Sequence, residues 1–160
     1  MVKIEKLINK RKISKIKEFE LERYKNFLES SYKNNLRHSK ANIATFPRWN
    51  IISGYYAMHD ITKLFLAVKF KIKIEKEVHA TTIDAFKELT KNNELLELIN
   101  FGYKEFLSLV QDLEEAKKER IKIQYYTNTR YLYEEYKRRA EEFFNRYSLN
   151  FINKMQKLLK

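Results

Sequence analysis

Turn-forming residues are scarce in this chain, because its 160 residues include 2 Gly and 1 Pro. An all-β fold needs many tight turns, and those turns draw on Gly and Pro for backbone angles that other residues avoid. Helices need few such residues, and the abundant Leu, Lys and Glu are strong helix formers. The sequence therefore predicts an all-α fold, and its length suits one compact domain over residues 1–160.

Helical periodicity of the apolar residues predicts about five helices, joined by short links as an antiparallel up-and-down bundle. Pro47 suits the first turn of the second helix, where its missing N–H has no partner to lose. Asn92 can cap the fourth helix, which we expect to kink or break at Gly102. The first helix could also have an earlier piece that starts at Lys3. The expected ranges are about 14–42, 47–69, 81–90, 94–125 and 129–158.

One short segment departs from helical spacing. Val68, Phe70, Ile72 and Ile74 alternate with charged residues, which is the period of a β-strand. Because a lone strand would have no partner within the chain, we interpret this segment as an extended connection. Pairing with its own copy in a dimer is the alternative.

Positive charge is concentrated at the beginning of the chain. The formal net charge is +12, and residues 1–17 hold seven Lys or Arg against one Glu. Such a basic N-terminal arm attracts polyanions such as RNA or DNA, whose condensed counterions are released on binding. The alternative is a Lys-rich helix face that is solvated and binds nothing.

Several classes of protein are excluded or disfavoured by composition. The chain has no Cys, which excludes disulfides, thiol catalysis and cysteine-bound zinc and is compatible with the cytoplasm. Its apolar runs are far shorter than the ~18 residues needed to cross a bilayer, so we expect no membrane partner. Its three His lack metal-ligand spacing, and two Gly cannot form a phosphate loop. We therefore expect no metal and no cofactor.

Polar side chains interrupt the apolar stripe of the second helix. Ser53, Tyr56, His59 and Lys63 recur every three or four residues, so they share one helix face. Such a stripe is either a core with internal hydrogen bonds or one wall of a ligand site. His59 is either a neutral core histidine or a proton-transfer or phosphate-contacting group. His79, near the start of the third helix, can cap that helix or bind an anion beside free backbone N–H groups.

Tyr and Arg alternate through much of residues 120–147. Interleaved side chains of these two kinds can stack bases and hold phosphates. In the alternative interpretation, Tyr fills a seam of the bundle while Arg points outward.

Three segments together resemble the HEPN domain (higher eukaryotes and prokaryotes nucleotide-binding), over roughly residues 15–160. The first is Ser53-Gly-Tyr-Tyr-Ala-Met-His-Asp-Ile-Thr-Lys63-Leu-Phe-Leu66, and after a basic connection the second is His79-Ala-Thr-Thr-Ile-Asp-Ala-Phe86. The third is Arg120-Ile-Lys-Ile-Gln-Tyr125, which is similar to the family's Arg-x-x-x-Asp-Tyr. A closing helix that begins near Tyr133 also fits.

The resemblance implies an all-α bundle of four or five helices, often a homodimer, that binds a nucleotide or RNA. Many members of that family partner a small nucleotidyltransferase, and some are RNA-cleaving toxins. Catalytic members carry Arg-x(4–6)-His, but here ten residues separate Arg48 from His59. The resemblance therefore implies a non-catalytic nucleotide- or RNA-binding protein.

Two alternatives to that function stay open. One is a toxin-type ribonuclease with atypical catalytic residues, for which His59, His79 and Arg120 are the candidates. The other is an interaction module that partners a nucleotidyltransferase. The ligand-binding positions that the resemblance implies are Ser53, Tyr56, Lys63, His79, Arg120 and Tyr125.

Overall fold

The computed structural model describes residues 2–119 and 129–160. Within these ranges the chain is mostly helical, with one small antiparallel sheet of two strands. The elements are α1 (Val2–Asn9), β1 (Ile13–Lys15), α2 (Glu18–Ala41), α3 (Pro47–Phe70), β2 (Ile72–Ile74), α4 (Val78–Thr90), α5 (Asn93–Glu119), α6 (Thr129–Glu142) and α7 (Leu149–Leu159). A π-helical segment, Phe143–Ser148, joins α6 to α7 without a break, so the described residues form six helical rods rather than about five.

Helix α3 lies at the centre of the fold. It packs against α2, α4, α5, α6 and α7. Most of its side chains are buried, and Ile51, Tyr55, Met58, Ile61 and Leu66 are all fully buried. A polar side chain on the buried part of this helix needs a partner inside the protein.

The interpretation of residues 68–75 as an extended connection was wrong, because Val68 and Phe70 belong to the last turn of α3 and Ile72–Ile74 form a paired strand, β2. β2 pairs antiparallel with β1, with Ile13 opposite Ile74 and Lys15 opposite Ile72. Ile13, Ile72 and Ile74 are buried, since alternate residues of a strand face the same side. β1 has three residues, too few to show the alternation of apolar and polar residues that marks a strand. It also lies where the first long helix was expected to begin. That helix begins at Glu18 instead of residue 14.

Two details of the later helices also differ from expectation. α4 begins at Val78 rather than at Thr81, and Thr81 Oγ1 donates to the carbonyl of Lys76 at 2.8 Å. α5 continues through Gly102 without a break. A Cβ atom at Gly102 would lie 3.1 Å from Met58 Sδ, so this residue lets α5 approach α3 closely.

Two predicted helix starts are confirmed. Pro47 is the first residue of α3. Asn92 Oδ1 accepts the backbone N–H of Leu95 at 3.0 Å and so caps the start of α5.

The basic N-terminal residues are held against the rest of the fold. Ile4 and Leu7 of α1 pack on the main core, and α1 contacts α4. Lys12 donates to the carboxylate of Glu77, just before α4. Across residues 2–119 and 129–160, none of the helices combines the length and hydropathy that a bilayer crossing requires.

Candidate functional site

Six aromatic and imidazole rings from three helices meet on one side of α3. We call them the ring cluster: Tyr55, Tyr56 and His59 of α3, His79 of α4, and Tyr103 and Phe106 of α5. The ring centroids of His59 and His79 are 4.8 Å apart, and those of Tyr55 and Phe106 are 4.9 Å apart. Contacts of this kind add to the stabilisation that burial provides.

The His79 imidazole is held by a tyrosine hydroxyl. Tyr55 Oη lies 2.9 Å from His79 Nδ1. Burial, followed by the neighbouring hydroxyls of Tyr103 and Tyr56, raises the pKa of Tyr55 well above its usual value. Tyr55 therefore keeps its proton and can donate it to Nδ1, which leaves Nε2 to carry the proton of the neutral ring.

The charge state of His79 follows from its surroundings. Burial lowers its pKa from the usual 6.5, and electrostatic interactions with His59 and Lys63 lower it further, while Asp60 opposes them. The ring is therefore neutral at pH 7. A neutral imidazole with one free N–H can donate a hydrogen bond to a phosphate oxygen, and it can also accept a proton.

A buried carboxylate connects the ring cluster to α2. Asp60 Oδ2 accepts hydrogen bonds from Ser31 Oγ at 2.6 Å and from Asn35 Nδ2 at 3.2 Å. Asp60 Oδ1 lies 3.3 Å from Lys63 Nζ and 3.6 Å from His59 Nδ1. Burial alone would raise the pKa of Asp60, but the contacts with His59, Ser31 and Lys63 outweigh it and hold the pKa below its usual value. Asp60 is therefore ionised, and it fixes the position of the Lys63 ammonium group.

His59 belongs to the interior rather than to a ligand surface. Its side chain is 2% exposed, and its Nε2 lies 3.4 Å from the carbonyl oxygen of Val78. Within the described ranges its Nδ1 has no hydrogen-bond partner, since 3.6 Å to Asp60 exceeds hydrogen-bond distance. Its contribution is to pack against the ring of His79.

Three of the predicted ligand-binding residues lie at the edge of this arrangement and are partly exposed: Tyr56, Lys63 and His79. Together they offer a phenol, an ammonium group and an imidazole. The ring centroids of Tyr56 and His79 are 5.7 Å apart. This edge can hold an anion next to an aromatic face.

The other predicted positions do not join this edge. Ser53 is buried, and its Oγ donates to the carbonyl of Trp49, one helical turn earlier, at 2.5 Å. Its role is local to the helix, because such a bond satisfies the hydroxyl within α3. Arg120 and Tyr125 lie outside the described residues.

Sequence reasoning missed six residues of the site: Tyr55, Tyr103 and Phe106 of the ring cluster, and Asp60 with its partners Ser31 and Asn35. Tyr55 precedes His59 by four positions, a spacing that places both side chains on one helix face. Ser31 and Asn35 have the same spacing on α2 and form a polar pair opposite Asp60. These periodic polar positions on two adjacent helices were the signals that could have identified the Asp60 network.

Metal binding finds no support in the described part of the chain, where no three His, Asp or Glu side chains converge. A different basic surface lies between α2, α3 and α7, as a cleft of about 710 Å³ with Lys25, Lys33 and Lys157 among its lining residues. Glu29 in the same cleft is bound to Lys33 at 2.5 Å, so part of this positive charge is already neutralised.

No protein-family model, curated protein or solved structure matches the chain.

Proposed function

We propose that this chain is a nucleotide- or RNA-binding protein with a HEPN-like helical bundle and that it binds without catalysis. The observation that carries the proposal is the position of His79. Its neutral imidazole lies partly exposed in the first turn of α4, hydrogen-bonded by Tyr55. It is close enough to Lys63 for that charge to lower its pKa.

Phosphate is the group that this edge suits best. The ammonium group of Lys63, which is paired with Asp60 at 3.3 Å, retains further N–H donors, and the N–H of His79 supplies another directed donor. The first turn of α4 adds unpaired backbone N–H groups with the positive end of the helix dipole. Tyr56 presents an aromatic face beside them, on which a base can stack. The net charge of +12 favours a polyanion over an isolated small anion.

The lack of the family's catalytic spacing supports binding rather than cleavage. His59 is buried, so a scissile phosphate cannot reach it in this conformation. A ribonuclease is the second candidate, and one observation favours it: a neutral and partly exposed His79 has the protonation state that a general base needs.

Binding is tested with ATP and with a short labelled RNA, by fluorescence anisotropy over a salt series. We expect RNA affinity to fall steeply as salt rises from about 50 to about 200 mM, because counterions are released on binding. His79→Ala should weaken binding. The matched control is His38→Ala, which removes an exposed imidazole from α2 and should leave affinity unchanged. Affinity that ignores both salt and His79→Ala would reject the proposal.

Catalysis is tested by incubating the same RNA with the wild-type protein and with the His79→Ala variant. We expect equal, background-level cleavage from both. Cleavage by the wild type that His79→Ala abolishes would instead favour the ribonuclease.

The homodimer and the nucleotidyltransferase partner that the resemblance implies belong to the same proposal. Light scattering coupled to size-exclusion chromatography measures the mass of the assembly in solution. A mass of one chain at all concentrations would remove the homodimer from the proposal.

A further inference from the structure

A second feature lies at the start of α3, away from the ring cluster. A groove of about 360 Å³ opens there between α3 and α6. We call it the Trp49 groove, and its main lining residues are Phe46, Pro47, Arg48, Trp49, Tyr133 and Tyr136. Phe46 is 58% exposed, Trp49 is 57% exposed and Tyr133 is 39% exposed.

Three large aromatic side chains of the Trp49 groove are exposed to solvent. Aromatic side chains usually bury most of their large apolar surface, and exposed apolar patches rimmed by polar groups mark interaction sites. Trp49 is the only Trp of the chain. The Trp49 groove thus leaves in solvent the side chain with the largest apolar area, beside two further rings.

The groove is held in shape by its own contacts. Pro47 fixes the backbone of the first helical turn, and Ser53 Oγ donates to the carbonyl of Trp49. The Tyr133 hydroxyl donates to the carbonyl of Ala44 and so ties α6 to the end of the α2–α3 connection. The groove is therefore preorganised, which reduces the entropic cost of binding.

The charge of the groove is positive. Its lining residues include no Asp or Glu. The Arg48 guanidinium lies 4.3 Å from the centroid of the Tyr136 ring, and among the side chains of residues 4–111 and 133–160 it forms no ion pair with a carboxylate. A purely apolar partner would gain nothing from an uncompensated cation. A ligand that is flat, aromatic and negatively charged matches both the rings and Arg48.

We propose that the Trp49 groove binds an unpaired base of a single-stranded nucleic acid. The base stacks on Trp49 and Phe46, and Arg48 contacts the adjacent phosphate. Stacking of this kind tolerates any base, because every base has a π-face. A duplex does not bind in this way, since its bases are already stacked and paired. This groove is separate from the edge formed by Tyr56, Lys63 and His79, so either site can fail without the other.

The emission of Trp49 reports directly on this groove. We expect a short single-stranded RNA to quench it, and a duplex of the same sequence to leave it nearly unchanged. Phe46→Ala should weaken binding of the single strand roughly 5- to 150-fold, the range that corresponds to the loss of one stacked base. Arg48→Gln should also weaken binding and make it less dependent on salt.

The matched control is Phe27→Ala, which removes a ring that is 63% exposed on α2. It should bind the single strand as the wild type does. Because Phe46 and Phe27 are both exposed, neither substitution should unfold the protein, and far-UV circular dichroism checks this. Quenching that persists in His79→Ala would show that the groove acts independently of the proposed phosphate site.

Four outcomes would overturn the proposal. They are an absence of quenching, equal quenching by duplex and single strand, equal affinity of Phe46→Ala and Phe27→Ala, and a blue shift of Trp49 emission that depends on protein concentration without RNA. The last, if Phe46→Ala removes it, would assign the groove to an interface between copies of this chain.

Discussion

The two glycines of the chain allow a matched test of how tightly α3 is packed. Without a clash, Gly→Ala inside a helix gains about 1 kcal/mol, because Ala loses less conformational freedom. At Gly54, however, a Cβ atom would lie 2.8 Å from Phe143 Cε1 and 3.0 Å from Ser39 Oγ. Phe143 is 1% exposed, so its ring can move only by disturbing the core.

The expected effect at Gly54 is the cost of the clash with Phe143 minus the gain from the lower conformational freedom of Ala. Overpacking a core costs about 1–3 kcal/mol, so Gly54→Ala should lose a net amount of about 0–2 kcal/mol of unfolding free energy. For a chain of this size that lowers the melting temperature by up to about 8 °C.

Gly102→Ala is the control substitution. Its new Cβ would meet Met58 Sδ at 3.1 Å and Cε at 3.2 Å, and a thioether can rotate aside. This change should be neutral or should stabilise by up to about 1 kcal/mol. Both variants are compared with the wild type by urea titration followed by circular dichroism. Equal stabilisation by the two substitutions would refute the close packing of α3 against Phe143.

Three further predictions concern charge and backbone strain. Asp60→Ala should lower the free energy of unfolding by about 1–3 kcal/mol, because the Ser31 donor loses its buried partner. Urea titration at neutral pH measures this change, and a smaller loss would contradict a buried network. His79→Gln should flatten the acid dependence of stability below about pH 6.5. The pKa of His79 is lowered in the folded state, so the unfolded chain takes up the proton first. The stability of the wild type therefore decreases as the pH falls below that value. Lys91→Gly should stabilise by up to about 1 kcal/mol, since Lys91 has a φ of 51°, where Gly is unstrained; an unchanged melting temperature would contradict this.

The sequence predicted the long helices better than their ends. α3 runs from Pro47 to Phe70, one residue beyond the expected range, because Pro47 marks its start and apolar residues recur at helical spacing along its length. Lys71 and Lys91 follow α3 and α4, Glu77 precedes α4, and all three have positive φ, a conformation that Gly adopts with the least strain. Because charged residues occupy these positions, the sequence carried no recognisable signal for the start of β2 or for the two ends of α4.

The candidate site was predictable only in part. The helical spacing of Tyr56, His59 and Lys63 placed them on one face, and the structure brings them close to His79. The spacing could not show that His59 is buried, because burial depends on α4 and α5 covering that face. The role of Asp60 depends on Ser31, 29 positions earlier in the chain, and one helix read alone does not show such a partner.

The most direct test of the central claim is an NMR titration of the histidine imidazoles with a short RNA. In a sample with ¹⁵N-labelled His, the ring resonances of His79 should shift and saturate as the RNA binds, while those of His38, exposed on α2, should stay in place. RNA binding that leaves the His79 resonances unchanged would contradict a phosphate site at the first turn of α4.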